Sequence, residues 1–415
     1  MADTPSTLHR EKRVIGACSN PLTRHDDKWY LHHSFGSILN LLSKRFPHLR
    51  YGGPLLPDTS TEKADCELII NNLEVTTWGT WRNTLHAMKH PFRLIGYFWR
   101  FSRNCDAILI RGMFPLIWIL HWIARWRKQR IVHWIAANPI LILRGDDRGY
   151  GKFTTFLGIL FAYFERYMTL IAMRVSRGYV VTSGLELGRI FASKRTVACE
   201  SSSTSSIKDF RIREDTCQTD SIRILFIGFI RAEKGIEYLI RALPLIESDR
   251  PIHLALVGGW DQFPTEHARL SKIIDELGLN ERVHWEGYHK HGPALFDQID
   301  RSDLLVLPSL SEGTPHVLIE ARARSLPIVA SRVGGIPGSV TDQEDGMLVE
   351  PKNSTAIANA ISRIINDAEL RRKLIRQGRE RVSRLTIEWF TDLFADLLTR
   401  EDDSLLANHD PIANR

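Results

Sequence analysis

The segment Ser-Glu-Gly-Thr-Pro-His-Val-Leu-Ile-Glu-Ala, residues 311–321, is the most informative stretch of this 415-residue chain. It holds two glutamates, Glu312 and Glu320, with seven residues between them. Glu312 follows the apolar run 304–307, and Pro315 can open the helix that would carry Glu320. Open α/β sheets bind ligands where a strand ends and a helix begins. Two carboxylates about two helical turns apart could hold hydroxyl groups at both ends of one polyhydroxylated ligand.

Two glycine-containing turns follow other apolar runs of the same half. The first is Gly-Phe-Ile-Arg-Ala-Glu-Lys-Gly, residues 228–235, and the second is Gly334-Gly335. Glycine lets the backbone approach a phosphate closely, and Lys234 or Arg231 can neutralise a pyrophosphate. The alternative is an ordinary strand–helix turn with surface cations, and residues 228–235 alone do not decide between the two.

In order and spacing, these segments resemble the retaining glycosyltransferases of the GT-B fold, especially the large family four (glycosyl transferases group 1). Glu312 and Glu320 match the family's E-x7-E motif, and residues 345–351 resemble its Gly-Leu-Leu-Val-x-Pro ending. The resemblance is strong over about residues 221–385 and weak before residue 200. It implies an α/β protein of the GT-B class, with two Rossmann-like domains whose parallel sheets face an interdomain cleft.

The chain length also agrees with two domains. We expect an N-terminal acceptor-binding domain over residues 1–205 and a C-terminal nucleotide-sugar-binding domain over 206–385. Residues 386–415 would form a helix that crosses back to the first domain and a loose tail. Short apolar runs alternate with helical patterns, which predicts parallel sheets covered by helices. The predicted strands are 14–18, 67–70, 107–110, 131–136 and 179–182, then 222–227, 252–257, 283–286, 303–307 and 328–331.

The resemblance implies roles for the donor-site residues. It places Glu320 at the ribose hydroxyls of the nucleotide. It places Glu312 at the donor sugar, together with the backbone of Gly313, Thr314 and Pro315. The alternative is that Glu312 only caps a helix and that Glu320 is solvated.

At the phosphate end, Lys234 and Arg231 would stabilise the charge that builds up on the departing diphosphate. Phe229 stands where many family members have arginine, so Arg231 would act from two positions later. The glycines that would allow close backbone approach to the phosphates are Gly228, Gly334 and Gly335. The chain has no Asp-x-Asp motif, so we expect a metal-independent enzyme without a cofactor. The resemblance implies retention without a protein nucleophile, the departing phosphate oxygen helping to remove the acceptor proton.

The acceptor side of the sequence is less specific. His133 and Asn138 flank the end of the predicted strand 131–136 and could face a ligand, although a histidine on an apolar strand is more often a core residue. Residues 24–30 (Arg-His-Asp-Asp-Lys-Trp-Tyr) are either an acceptor loop or a polar surface loop.

Charge separates the two halves. Residues 1–200 hold 28 Lys and Arg against 15 Asp and Glu, whereas the remainder holds 27 against 33. Tryptophans cluster in the basic stretch 75–200, a combination typical of helices in an anionic membrane interface. The alternative is a packed core with a solvated cationic face. The longest apolar runs, 114–123 and 156–164, are shorter than the ~20 residues of a membrane span. Arg125 and the pair Glu165-Arg166 interrupt any extension of these runs, so we expect no crossing of a membrane.

Five dispersed cysteines are typical of reduced thiols, and residues 1–13 lack a signal-peptide pattern. We therefore expect a cytoplasmic enzyme at the inner face of the cell membrane. It would transfer a sugar from a nucleotide-diphosphate donor to a glycan or lipid-linked acceptor in cell-surface polysaccharide or glycolipid synthesis, with no nucleic-acid partner. A nucleotide-sugar epimerase on the same fold and a non-catalytic nucleotide-sugar-binding scaffold are the alternatives.

Overall fold

The computed structural model describes residues 13–18, 21–56, 66–79, 90–136, 140, 152–199, 205–261 and 263–399. The chain divides into two compact units, Met1–Ser202 with Ile387–Arg415, and Ser203–Thr386. The predicted divisions at 205 and 385 lie within three residues of these boundaries.

The N-terminal unit is built on a seven-stranded parallel sheet with the strand order β10-β9-β8-β7-β1-β4-β6. The same unit contains a second, small antiparallel sheet with the strand order β2-β3-β5. The strands are β1 Val14–Cys18, β2 Thr23–His25, β3 Lys28–Leu31, β4 His48–Gly53, β5 Cys66–Glu67, β6 Asn72–Thr77, β7 Ala107–Arg111, β8 Arg130–Ile135, β9 Tyr179–Ser183 and β10 Thr196–Cys199. The helices are α1 His33–Leu42, α2 Pro91–Phe101, α3 Ile117–Trp126, α4 Lys152–Ser176, α5 Leu185–Ile190 and α13 Ile387–Thr399.

Two of these segments differ from the predictions. Residues 24–30 form a hairpin, β2 and β3, in which Asp26 and Asp27 have φ angles of 46° and 59°. Both residues therefore take the left-handed conformation that a tight hairpin turn requires. The predicted parallel strand 67–70 is wrong, because β5 is a two-residue strand that pairs antiparallel with β3.

Alternation along the strands assigns the helices to the two faces of the N-terminal sheet. Ala107 and Leu109 belong to the cluster that contains α1 and α13, whereas Ile108 and Ile110 pack with α2 and α3. Helix α4 lies on the same face as α3, since its Met173 packs with Ile135 of β8. Helices α2, α3 and α4 therefore cover one face, and α1 and α13 cover the other.

Helix α4 continues through Glu165 and Arg166, which we expected to interrupt the apolar run. Its segment Phe156–Ser176 is, among the described residues, the one helical segment that is long and apolar enough to cross a membrane by length and composition. Only 28% of the most apolar window of that segment is buried within the protein. The expectation of short apolar runs is therefore wrong for this segment.

The C-terminal unit is a second α/β unit, with a six-stranded parallel sheet in the order β13-β12-β11-β14-β15-β16. Its strands are β11 Ile222–Ile227, β12 Ile252–Val257, β13 Val283–Gly287, β14 Leu304–Leu307, β15 Ile328–Ser331 and β16 Met347–Val349. Its helices are α6 Ile236–Ala242, α7 Pro264–Glu276, α8 Pro293–Asp300, α9 Val317–Ala323, α10 Ile336–Ser339, α11 Ser354–Asn366 and α12 Ala368–Val382. Short 3-10 turns span Ile207–Asp209, Ala232–Lys234 and Leu243–Leu245.

A buried histidine pair lies in the N-terminal unit. His121 Nε2 and His133 Nδ1 are 3.0 Å apart, and His133 Nε2 lies 2.8 Å from the carbonyl oxygen of Gly112. His133 has no exposed surface, so it is a core residue in this structure, and Asn138 lies outside the described residues. Burial lowers the pKa of His133 to about 4 and holds the pKa of His121 well below its ordinary value.

These pKa values predict loss of stability in mild acid. The unfolded histidines take up protons as the pH falls below their ordinary pKa, whereas the folded pair resists protonation, so the free energy of unfolding decreases. We expect His133 alone to lower it by about 2 kcal/mol between about pH 7.5 and pH 5. Urea unfolding followed by tryptophan fluorescence would measure this. His133→Gln should reduce the pH dependence, and the exposed control His48→Gln should leave it unchanged. Equal pH dependence in all three proteins would contradict the prediction.

Candidate functional site

Most of the predicted site residues lie on three loops at one edge of the C-terminal sheet. The loops follow β11, β14 and β15, which are neighbouring strands, and they leave from the carboxyl ends of those strands. Parallel strands bring such loops together, and ligands of open α/β sheets bind there. Residues far apart in the chain therefore become neighbours at this edge.

An ion pair connects the first two loops. Lys234 Nζ lies 2.5 Å from Glu312 Oε1, and Ser309 Oγ donates to the same carboxylate oxygen at 2.9 Å. Only 15% of the Lys234 side chain and 9% of the Glu312 side chain are exposed. The backbone adds a second connection, because Leu310 N donates to Glu233 O at 2.8 Å. The structure thus brings two of the predicted catalytic residues into direct contact.

The third loop, which follows β15, packs on the loop of Glu312 at two glycines, Gly334 and Gly335. A Cβ atom on Gly334 would lie 1.8 Å from the carbonyl oxygen of Glu312, and the φ angle of Gly334 is +52°. At Gly335 a Cβ atom would lie 2.3 Å from the carbonyl oxygen of Gly313. Gly335 N donates to that oxygen at 2.9 Å, so this amide is engaged within the chain. Both glycines allow the backbone of one loop to pack directly on the loop that carries Glu312.

Glu320 lies in the first turn of α9 and is 7% exposed. The helix begins at Val317, two residues after the Pro315 that we expected to open it. His291, from the loop before α8, places its Nε2 3.8 Å from Glu320 Oε1. Sequence reasoning missed His291 because its contact with Glu320 joins a loop and a helix that are distant in the chain.

Arg231 is oriented differently from Lys234. Its Nε lies 3.0 Å from Glu233 Oε1, and its guanidinium stacks over Phe229 at 5.7 Å and over Phe263 at 5.6 Å. In this structure Arg231 is therefore held by an aromatic pair and a neighbouring carboxylate. Gly228 donates its amide to Val257 O at 2.9 Å.

Open space adjoins the loop of Glu312. A Cβ atom on Gly313 would meet no other atom within 4 Å, whereas one on Gly335 would lie 3.1 Å from Thr314 Oγ1. Gly313 thus borders free volume on the side where a ligand could approach. Among the described residues, no group of three or more His, Cys, Asp or Glu side chains is arranged to hold a metal ion.

The N-terminal unit contains a buried cation that no sequence motif indicated. Arg111 ends β7 and is 7% exposed, and its Nη2 donates to Ser34 Oγ at 2.8 Å. The guanidinium lies 4.9 Å from the Trp134 ring centroid and 5.5 Å from that of Phe35. Burial lowers the pKa of Arg111 to about 10, so the group stays charged at neutral pH. A buried positive charge therefore lies at the carboxyl edge of the N-terminal sheet.

Comparison with known proteins identifies the family that the C-terminal unit resembles. Residues 208–381 match the family model of glycosyl transferases group 1. The chain is 32% identical over 165 residues to an uncharacterised glycosyltransferase of Methanocaldococcus jannaschii, covering 40% of this chain and 41% of that protein. It is 25% identical over 337 residues to the lipopolysaccharide core biosynthesis glycosyltransferase LpsD of Rhizobium meliloti, covering 77% and 92%. The match to the first of these relatives thus spans about two fifths of its length.

Solved structures show the fold. Sucrose-phosphate synthase from Thermosynechococcus elongatus superposes with a TM-score of 0.62 at 21% identity, covering 93% of this chain and 98% of that one. Anabaena HepE in complex with UDP superposes with a TM-score of 0.66 at 15% identity, covering 92% and 99%. The prediction of a GT-B fold built from two Rossmann-like units is confirmed.

The contact between Gly334 and Glu312 predicts a large cost for a methyl group. Gly334→Ala should lower the free energy of unfolding by about 3 kcal/mol, because the backbone must move and the residue must keep a left-handed conformation. Gly278→Ala is the matched control, since Gly278 has a φ of +63° and a Cβ there meets nothing within 4 Å. That control should cost about 1 kcal/mol in denaturant unfolding. Equal losses would show that close packing on Glu312 is unimportant.

Proposed function

We propose that this protein transfers a sugar from a nucleotide-diphosphate sugar to a hydroxyl group of an acceptor, with retention of anomeric configuration and without a metal ion. The observation that carries the proposal is the Lys234–Glu312 pair at the carboxyl edge of the C-terminal sheet. The match to glycosyl transferases group 1 supports sugar transfer, and HepE, a protein of the same fold, binds UDP and UDP-glucose in solved structures.

In the proposed reaction, the bond between the sugar C1 and the diphosphate oxygen breaks as negative charge develops on the diphosphate. Lys234, assisted by Arg231, stabilises that charge in place of a divalent ion. The acceptor oxygen bonds to C1 on the same face of the sugar, and its proton passes to the departing diphosphate oxygen. No covalent bond to the protein is formed.

The remaining site residues orient the donor. Glu312 and the backbone of Gly313, Thr314 and Pro315 contact the donor sugar, and Glu320 accepts hydrogen bonds from the ribose hydroxyls. Gly228, Gly334 and Gly335 let the backbone approach the phosphates closely.

For the setting, we propose a cytoplasmic enzyme associated peripherally with an anionic membrane, acting on a glycan or lipid-linked acceptor in cell-surface polysaccharide or glycolipid synthesis. The likeness to LpsD supports this class of acceptor. The buried charge of Arg111 at the edge of the N-terminal sheet favours an acceptor that carries an anionic group.

Kinetics of two site variants would test the reaction. The donor is first chosen from a panel of nucleotide sugars by thermal stabilisation, since a bound donor raises stability by mass action. With that donor, Glu312→Ala and Lys234→Met should each lower kcat by about 100- to 1,000-fold. Release of the nucleotide diphosphate measures the rate. The control Glu344→Ala removes an exposed carboxylate of the same unit and should keep full activity.

The same assay separates the alternative functions. An epimerase would alter the sugar without releasing a nucleotide diphosphate, and a scaffold would bind the donor without turnover in either the wild type or the variants.

Retention predicts that NMR of the product shows the anomeric configuration of the donor; an inverted product would contradict the proposed mechanism.

Metal independence has its own test. Because Lys234 and Arg231 supply the positive charge, we expect kcat to stay within about twofold in excess EDTA. A loss of activity that Mg²⁺ or Mn²⁺ restores would show that a divalent ion takes part.

A further inference from the structure

Large apolar side chains lie exposed on the three helices that cover one face of the N-terminal sheet. We call this surface the aromatic face and define it by the exposed residues of α2, α3 and α4. Its apolar members are Phe92 and Trp99 on α2, Trp122 and Trp126 on α3, and Phe156, Leu157, Leu160, Tyr163, Phe164, Tyr167 and Val175 on α4. Exposed apolar patches of this kind mark interaction sites.

The aromatic face is continuous between α2 and α3, and α4 packs against α3. Trp122 and Trp126 are four residues apart on α3, so they share one side of that helix. The rings of Trp126 and Trp99 are 5.1 Å apart, which joins α3 to α2. On α4, Phe156, Leu160 and Tyr167 recur at helical spacing and share one side.

The exposed charged residues of the aromatic face are all positive. The one acidic residue in the sequences of α2, α3 and α4 is Glu165, which is buried. The arginines Arg93, Arg100, Arg125 and Arg174 are exposed on the same helices. Arg127 lies 4.5 Å from the ring centroid of Trp99, and Arg166 lies 4.9 Å from that of Tyr163. Cations interleaved with exposed Trp, Tyr and Phe match the headgroup level of an anionic bilayer.

The buried side of α4 determines how deeply it can enter a membrane. Leu116 N, at the start of α3, donates to both carboxylate oxygens of Glu165 at 3.1 Å. Met173 of α4 packs with Ile135 in the core. A spanning orientation would break these contacts and carry Glu165 into hydrocarbon, which is costly. An orientation in the interface plane keeps them and immerses only the exposed side.

We propose that the aromatic face is the membrane-docking surface of this protein, inserting its exposed aromatic side chains into the interface of an anionic bilayer while α4 stays packed on the N-terminal unit. The inference rests on the proposed membrane association and assigns it to named helices. Its location outside the C-terminal unit separates membrane binding from donor chemistry.

Vesicle sedimentation tests the proposal. The wild type should bind vesicles of phosphatidylcholine with phosphatidylglycerol, more weakly at high salt, and bind phosphatidylcholine alone poorly. The triple variant Trp126→Ser, Leu160→Ser, Tyr167→Ser should bind the anionic vesicles at least about tenfold more weakly, because three exposed apolar side chains are lost. The control triple Ile69→Ser, Ile212→Ser, Leu245→Ser removes comparably exposed apolar side chains elsewhere and should bind as the wild type does.

Three outcomes would overturn the assignment. One is equal vesicle binding by the wild type and the aromatic-face variant, with folding verified by circular dichroism. Another is loss of a dimer in analytical ultracentrifugation with unchanged vesicle binding, which would assign the face to a second copy of the chain. The third is resistance of the bound protein to alkaline extraction, which would indicate a membrane span.

Failure of this inference can be distinguished from failure of the proposed reaction. Glu312→Ala should bind vesicles as the wild type does, since the donor site lies in the other unit. The aromatic-face variant should release nucleotide diphosphate at the wild-type rate with an acceptor supplied in solution.

Discussion

The contact between Lys234 and Glu312 determines the geometry of the candidate site. Each charge is largely removed from water, so each would be costly to bury without the other. Pairing them fixes the loop after β11 against the loop after β14, and Ser309 donates a hydrogen bond to the same carboxylate oxygen that Lys234 contacts. In the proposed reaction, the incoming diphosphate would be a second anion for the same ammonium group. The ammonium would then be positioned before the donor arrives, and donor binding would only have to redistribute its partners.

Glycine provides the space in which this pair can form. Gly334 lets the loop after β15 lie against the backbone of Glu312, and Gly235 does the same beside the carbonyl of Pro308, where a Cβ would lie at 2.2 Å. Three loops therefore meet by backbone contact. Side chains between them would separate the strands' ends and move the carboxylate away from Lys234. The glycine turns therefore have a structural role: they let the three loops pack together closely enough for the Lys234–Glu312 pair to form.

The sequence predicted the C-terminal sheet well because its strands are buried on both faces. Residues 222–227, 252–257 and 328–331 read as continuous apolar runs and became β11, β12 and β15 with the same boundaries. Strands β4 (His48–Gly53) and β6 (Asn72–Thr77) were missed because polar residues alternate through them at one side of the sheet. The E-x7-E motif predicted Glu312 as a site residue, and the glycine turn 228–235 predicted Lys234. Their contact joins positions 78 residues apart, and no local pattern could predict it or the approach of His291 to Glu320.

The tryptophans of the basic stretch show why composition could not settle the membrane question. Trp134 is fully buried, with the rings of Phe390 and Phe394 at 5.9 Å and 5.2 Å, on the face covered by α1 and α13. Trp122 and Trp126 belong to the same stretch but point outward from the opposite face. One part of the stretch is therefore packed core, and another part is an exposed basic aromatic surface. The alternation of side chains along the strands explains this difference, because neighbouring residues of one strand pack against helices on opposite faces of the sheet.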